Sequence, residues 1–448
     1  MSGGADEGWR ARLAAAQAAL RGNDLAEAKR LIEGALSTRP GDADAGYLAA
    51  IVASRDGRPG EARAHLVAAV AERPAFAAAW LALGNAELAL GDDPAAIAAF
   101  ERATAQEPRF GEAHYNLGLA RKRRGEWHAA AGSFLRALAA QPLLFDAGQQ
   151  LVDTLAHWVT VDPSAAESML EDRDSVAAQR LPSVSVIVCS IDDDKFRRVS
   201  SLYRRLLSGV DHQLIGIHDA RSLAEAYNRA LRQARGEVLI FSHDDIDILA
   251  ADFAARLAAA LDRFDLVGVA GATHAAGPAW SWAGHPHVHG WVTHRRQAAD
   301  GWRVSISSPW PLVGGVHSLD GVFLGGWRRA FESVSFDAVT FDGFHGYDVD
   351  FSLRAARSGW RLGVCGELLL VHESEGRYDA EWTRYAERFR AKYPELADPP
   401  RTAHRYEAKL ASAREATAFY RRLAQLARTT EGVSAARWSA TNEPVRPR

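Results

Sequence analysis

Prolines stand at Pro40, Pro74, Pro108 and Pro142, each 34 residues after the last. Gly57, Gly91 and Gly125 keep the same step, and Asn23 takes the equivalent place one period earlier. So do the alanines Ala35, Ala69, Ala103 and Ala137, and the large apolar residues Ile32, Leu66, Phe100 and Phe134. Gly84 and Gly118 add a further phase. Independent positions sharing one period constrain this part of the chain to a stack of equal units, none of which buries its apolar face alone.

Each repeated residue has a physical task. The small residues let paired helices approach closely. The glycine near each midpoint ends a first helix in left-handed backbone geometry. The large apolar side chain on the second helix fills the space between neighbours, and the proline ends that helix and opens the next unit. This order resembles the tetratricopeptide repeat. It reads as about four repeats over residues 8–142, closed by LLFDAGQQLVDTLAHW (143–158) as a capping helix, so that the solenoid spans 8–158. Such a solenoid has a concave face. It serves either to hold a protein partner or a peptide acceptor, or only to stiffen the chain or build a homo-oligomer.

The chain has 448 residues, more than one ordinary domain holds, and 48% of them are hydrophobic. A formal net charge of −3 gives no reason to expect nucleic acid or anionic lipid as a partner. Cys189 and Cys365 both sit in apolar runs and read as buried thiols, which fits a reducing compartment. The first residues lack the pattern of a secretory signal, and no apolar run is long enough to span a bilayer. A cytoplasmic location is the expectation.

After a polar, proline-bounded stretch read as a linker (159–182), the pattern changes. VSVIVCSI (184–191), HQLIGIHDA (212–220) and EVLIFSHDDIDIL (237–249) are apolar runs that read as strands, separated by helical segments. Strand–helix alternation predicts an α/β domain over 183–395 with a mostly parallel sheet, whose ligands gather at the carboxyl ends of the strands. No GxGxxG follows the first strand and no GxxxxGK[ST] occurs, so dinucleotide and P-loop sites are disfavoured. A helical extension is expected over 396–428, with its helix at about 403–428, and a disordered tail over 429–448.

Polar residues interrupt the apolar runs at three places. FSHDDID puts His243, Asp244 and Asp245 at a strand end, where adjacent acids repel unless a cation screens them. Oxygen ligands of this kind suit Mg²⁺ or Mn²⁺. LLLVHES ends a strand at His372, which as a further ligand favours Mn²⁺. FHGYDVDFSLRAARSG starts a helix around Asp348. An acid in a first turn is favoured by the free amides and the helix dipole, and the same surroundings hold a carboxylate ionised for use as a general base. Asp348 and Asp350, two apart on a helix, point in different directions, so one reads as catalytic and the other as structural. GPAWSWAGHPHVHGWVTHRR (277–296) reads as an irregular hairpin, in which Trp280, Trp282 and Trp291 are candidates to stack on a ligand or acceptor. A second metal site at His285, His287 and His289 is geometrically permitted but not favoured.

In this order, strand–HDD, LDGVFLGGWRRAFE (319–332), FDGFHGYDVDFSLRAARSG and LLLVHES resemble a family 2-type glycosyltransferase of the GT-A fold. The branch most similar carries the streptomycin-biosynthesis-type domain. The resemblance covers about residues 183–395. It implies a nucleotide-diphosphate sugar as donor, a UDP-sugar by preference, and a divalent cation, Mn²⁺ or Mg²⁺. It implies that Asp245 is the main metal ligand, with Asp244, His243 and His372 beside it, and that Asp348 is the base. It places the nucleotide near Ser190, Ile191, Asp219, Asn228 and Asp244. The chain departs from the family's pattern at His243, which replaces an acid, and at Tyr347, which stands where a glutamate usually precedes the base. The expected function is metal-dependent, inverting sugar transfer to a peptide, protein or glycan acceptor. The alternative is a non-catalytic glycosyltransferase-like scaffold that binds proteins through its repeats.

Overall fold

The computed structural model describes residues 3–162, 180–295, 301–374, 378–396 and 399–430. Most of the expected linker (163–179) and of the expected tail (431–448) therefore lies outside the described residues. The chain divides into two compact units, Met1–Ala147 and Gly148–Arg448.

The first unit is a run of paired helices: α1 (Gly3–Arg21), α2 (Leu25–Thr38), α3 (Ala43–Arg55), α4 (Pro59–Glu72), α5 (Ala77–Leu90), α6 (Asp93–Gln106), α7 (Gly111–Arg123) and α8 (Trp127–Ala140). The repeat residues do what their chemistry requires. Asn23, Gly57, Gly91 and Gly125 all adopt left-handed backbone, with φ of 58°, 72°, 81° and 73°. The second helices end just before Pro74, Pro108 and Pro142, because the residue preceding a proline avoids the helical region. A methyl group on Gly84 would come within 2.4 Å of the Phe100 ring, and one on Gly118 within 2.5 Å of Phe134. The period in the sequence is therefore the period of this close helix contact. Helix α9 (Phe145–Val161) begins in this unit. From Gly148 it belongs to the second, where Gly148 lies against the Tyr406 ring and Trp158 lies under the Arg422 guanidinium, 3.3 Å from the ring centre.

The second unit runs β1 (Val184–Cys189), α10 (Asp193–Leu206), β2 (His212–Ile217), α11 (Leu223–Leu231), β3 (Val238–Ser242), β4 (Ile246–Ile248), α12 (Phe253–Leu261), β5 (Leu266–Gly268) and β6 (Ala270–Ala272). It continues through β7 (Val288–Arg295), β8 (Trp302–Ile306), β9 (Leu312–Gly314), β10 (Ser318–Leu319), β11 (Phe323–Trp327), α13 (Arg328–Val334), α14 (Tyr347–Arg357) and β12 (Leu362–Cys365). It closes with β13 (Leu370–His372), α15 (Ala380–Lys392), β14 (Tyr406–Leu410) and α16 (Ala413–Thr429). One sheet has the order β2-β1-β3-β11-β5-β12-β9 and the other β10-β6-β7-β13-β4, with β8 joining β7 to β14. In the first, β2, β1, β3, β5 and β12 run the same way, while β11 and β9 oppose them.

Three apolar runs divide between the two sheets. The run 237–249 leaves the first sheet after Ser242 and enters the second at Ile246. Residues 266–272 and 362–372 divide in the same way, as β5 with β6 and β12 with β13. Strands buried on both faces read as unbroken apolar runs, so a change of sheet leaves little trace in hydropathy. The expected helix at 403–428 also needs correcting. It starts only at Ala413, and Tyr406–Leu410 is a strand paired antiparallel with β8. Its alternation, with Tyr406 and Leu410 buried, fits a half-buried strand.

The core of this unit is aromatic. Phe351 of α14 stacks on Phe331 (5.2 Å between centroids) and Phe336 (4.4 Å), and Tyr347 meets Tyr227 edge-on at 5.6 Å. These contacts fix the helix that carries Asp348.

Candidate active site

Where β3 leaves the first sheet, His243 and Asp245 turn toward the end of β13. Asp245 Oδ1 lies 3.3 Å from His372 Nε2 and 3.9 Å from His243 Nδ1, and the three ligand atoms all fall within 4.8 Å of one another. The antiparallel register pairs Ile246 with His372, which brings the two segments together. Burial works to raise the Asp245 carboxyl, but bonding to His372, with Ser374 and His243 beside it, holds it well below the usual carboxylate range. Burial, and then the neighbouring His372, lower the His243 pKa and favour neutral imidazole, the form that binds metal. An ionised carboxylate and two imidazoles at this spacing fit one divalent cation. Asp244, the other expected ligand, lies outside this group: it accepts a hydrogen bond from Ser190 Oγ at 2.6 Å. Ser374 Oγ, 3.2 Å from His372 Nε2, joins the edge of the cluster and was not foreseen.

Asp348 stands in the first turn of α14, where its Oδ2 accepts from the Gly321 amide at 2.8 Å. Burial first, and then the charge of Asp320, raise its carboxyl to about 7, against the pull of the Val349 and Gly321 amides. The sequence-based expectation of a carboxylate held ionised by the helix start is corrected here: desolvation and a like charge outweigh the free amides. Asp320 is the functional candidate that sequence reasoning missed. One oxygen accepts from the Val322 amide at 2.9 Å and the other from the Trp280 indole at 2.7 Å. The acid of LDGVFLGG, set at a strand end before a glycine, was the available signal.

The turn Asp320–Gly321–Val322 joins the two groups. Its Val322 carbonyl accepts from the His243 amide at 3.1 Å, while its Gly321 amide holds Asp348. A methyl group on Gly321 would lie 2.3 Å from the Tyr347 hydroxyl and 3.0 Å from Asp348 Cβ. Tyr347 therefore fills the wall of the turn, buried and edge-on to Tyr227.

The expected nucleotide-side residues scatter more widely. Ser190 is buried at the end of β1, and the His218 ring nitrogen Nδ1 lies 2.8 Å from its carbonyl. Ile191 is 90% exposed beside it. Asp219 is held in a two-pronged pair with Arg229, at 2.8 and 2.9 Å. Asn228 spends its amide on the backbone of Phe336, donating at 2.7 Å and accepting at 2.9 Å. Trp291 is no stacking platform. It is fully buried, parallel to Tyr420, with its indole bonded to the Ser308 carbonyl. His285, His287 and His289 find separate neighbours in Ser307, Thr273 and Ser308. Among the described residues only His243, Asp245 and His372 gather as a metal-type cluster.

The α/β domain thus brings a metal-type cluster and a carboxylate of raised pKa to one turn. Residues 185–393 match the model of a glycosyltransferase-like family, and residues 13–66, 47–106 and 94–144 match that of the tetratricopeptide repeat. The chain thus carries a glycosyltransferase family 2-like domain behind N-terminal tetratricopeptide repeats. Similar solved structures include MamA from Desulfovibrio magneticus, at 18% identity, covering 38% of this chain and 98% of that one with a TM-score of 0.32. PilF of Pseudomonas aeruginosa is 20% identical over 37% of this chain and 82% of its own, with a TM-score of 0.33. A thermophilic TPR protein of Thermus thermophilus is 21% identical over 38% and 93%, at 0.30. No curated protein matches the chain. No helix among the described residues is long and apolar enough to cross a membrane.

Proposed function

We propose that the 183–395 domain transfers a sugar, with inversion, from a nucleotide-diphosphate sugar to an acceptor hydroxyl. The observation that carries this reading is the shared turn. Val322 is bonded to the metal-side His243, and Gly321 to the base Asp348, 3.1 and 2.8 Å away. Asp348 takes the proton from the acceptor hydroxyl as its oxygen attacks the anomeric carbon. The bond from that carbon to the diphosphate oxygen breaks, and the nucleoside diphosphate leaves. A single displacement of this kind inverts the anomeric centre. A base with a pKa near the working pH combines adequate ionisation with adequate proton affinity. Burial, and after it the Asp320 charge, keep Asp348 in that range, and the Trp280 indole and Val322 amide keep Asp320 in place.

Asp245, His243 and His372 would hold the divalent cation, Mn²⁺ rather than Mg²⁺ because two of the three ligands are imidazoles. When bound, it supplies charge neutralisation for the departing diphosphate. Ser190, just after β1, and Asp244, just after β3, would face the donor. The repeats are read as the site of a protein partner or of a peptide acceptor.

The test is a donor screen on the full chain by thermal shift with Mn²⁺ present, using UDP- and GDP-sugars. Donor turnover and product anomer are then followed by NMR. A stabilising donor that is turned over with inversion supports the reading. Retention of configuration, or full turnover by Asp348→Asn, overturns it.

A further inference from the structure

Helix α15 follows the His372 strand in the chain and lies against the segment that leads to Asp348. It carries Tyr385, Arg388 and Lys392 at i, i+3 and i+7, on one face. The Tyr385 hydroxyl donates to Asp342 Oδ1 at 2.8 Å. Arg388 Nη1 donates to the Thr340 carbonyl at 2.9 Å and to Asp342 Oδ1 at 2.5 Å. Lys392 Nζ reaches Asp337 Oδ2 at 2.7 Å and Asp350 Oδ1 at 2.5 Å. Asp337 precedes Asp348 in the chain and Asp350 follows it, so this one ammonium ties together both sides of the base.

Asp350 is fully buried, and its remaining contacts are also strong. The Tyr393 hydroxyl donates to it at 2.7 Å and Arg354 at 2.8 Å. A buried carboxylate bonded this way holds its position closely, because any displacement leaves charge uncompensated in a poorly hydrated place. The first turn of α14, packed on its aromatic core, is therefore also held from the α15 side.

We propose that the Tyr385–Arg388–Lys392 face of α15 is the positioning element of the base, with Lys392 the residue that sets where Asp348 stands. This rests on the reading of Asp348 as the base. Donor and cation are held elsewhere, by the ends of β1, β3 and β13. The face therefore governs the chemical step and leaves their binding alone. Near-attack geometry is sensitive to shifts of about 1 Å, which cost as much as 10²-fold in rate.

The experiment uses the full chain with Mn²⁺ and UDP-glucose, UDP-N-acetylglucosamine and GDP-mannose, with water as the acceptor where no other is known. Lys392→Met is expected to lower kcat by about 10- to 100-fold. KM for the donor, and Mn²⁺ and UDP binding by calorimetry, are expected to stay unchanged. Lys392→Arg, which can still bridge both acids, should return kcat to within about threefold of wild type. Arg388→Ala, at a more exposed position, should cost about 3- to 10-fold in kcat in the same pattern. Unchanged kcat in folded Lys392→Met, or a loss that falls equally on donor affinity, overturns the proposal. If Lys392→Met does not fold, unchanged kcat in Arg388→Ala overturns it. Should the wild type and Asp348→Asn turn over donor alike, it is the base assignment that fails, an outcome separate from these.

Discussion

Burial, and after it the charge of Asp320, raise the pKa of Asp348. Both carboxylates are half-buried at the Gly321 turn, and burial together with the Asp320 charge brings the Asp348 carboxyl to about 7. A carboxyl in this range changes its ionisation near neutral pH.

A base must be ionised to act, so transfer should rise with pH through about 7 and then level off. Replacing Asp320 by asparagine removes the like charge, and the acidic limb of the kcat profile should move down by about one pH unit. A profile that is flat between pH 5 and 8, or a limb that stays in place in Asp320→Asn, would count against the pairing.

The same shift predicts a trade between activity and stability. A carboxyl whose folded pKa lies above its unfolded value binds its proton more tightly in the native state. Its favourable contribution is present at acid pH and is lost as pH rises from about 4 through about 7. Asp348→Asn should therefore lose transfer by about 10²- to 10⁴-fold, yet be more stable than wild type at pH 8 by about 1–2 kcal/mol, a figure reduced for partial solvent access. Denaturant unfolding at pH 5 and pH 8 checks both the sign and the pH dependence.

Two imidazoles and one carboxylate favour borderline ions over Mg²⁺. Asp245→Ala and His372→Ala should each weaken Mn²⁺-dependent binding of a nucleoside diphosphate by at least about tenfold in calorimetry. His243→Asp, which makes the site richer in oxygen, should raise the relative effectiveness of Mg²⁺. Equal Mn²⁺ and Mg²⁺ responses in the wild type would show that the imidazoles are not ligands.

Gly321→Ala places a methyl group 2.3 Å from the Tyr347 hydroxyl and 3.0 Å from Asp348 Cβ. Overpacking of this kind costs about 1–3 kcal/mol, and here the strain falls on the turn whose amide bonds Asp348. Thermal unfolding should drop by a few degrees, and donor turnover should fall by more than the loss of folded protein explains. Gly84→Ala, pressed against Phe100 at 2.4 Å in the repeat unit, is the control: the same order of destabilisation with catalysis per folded molecule unchanged.

The repeats were legible because every unit solves the same local problem. A left-handed residue at Asn23, Gly57, Gly91 and Gly125 and a close glycine–phenylalanine contact need particular side chains, and those requirements recur with the structure. In the second unit the local signals were also direct at three points: His243–Asp245, His372 and Asp348 interrupt apolar runs or open a helix. Trp291 misled because an aromatic residue in a strand reads the same whether it lines a site or stacks on Tyr420 in the core.

From the sequence alone came the 34-residue period, the strand–helix alternation and the candidate metal-type residues His243, Asp245 and His372, since spacing and residue chemistry are local properties. The tertiary structure alone decided three further matters. Apolar runs such as 237–249 divide between two sheets, because pairing depends on strands distant in the chain. Asp320 neighbours Asp348 with a raised pKa, because burial and like charge arise only when the turn closes. Lys392 grips both Asp337 and Asp350, because ion pairs across such separations exist only once α15 has packed beside α14.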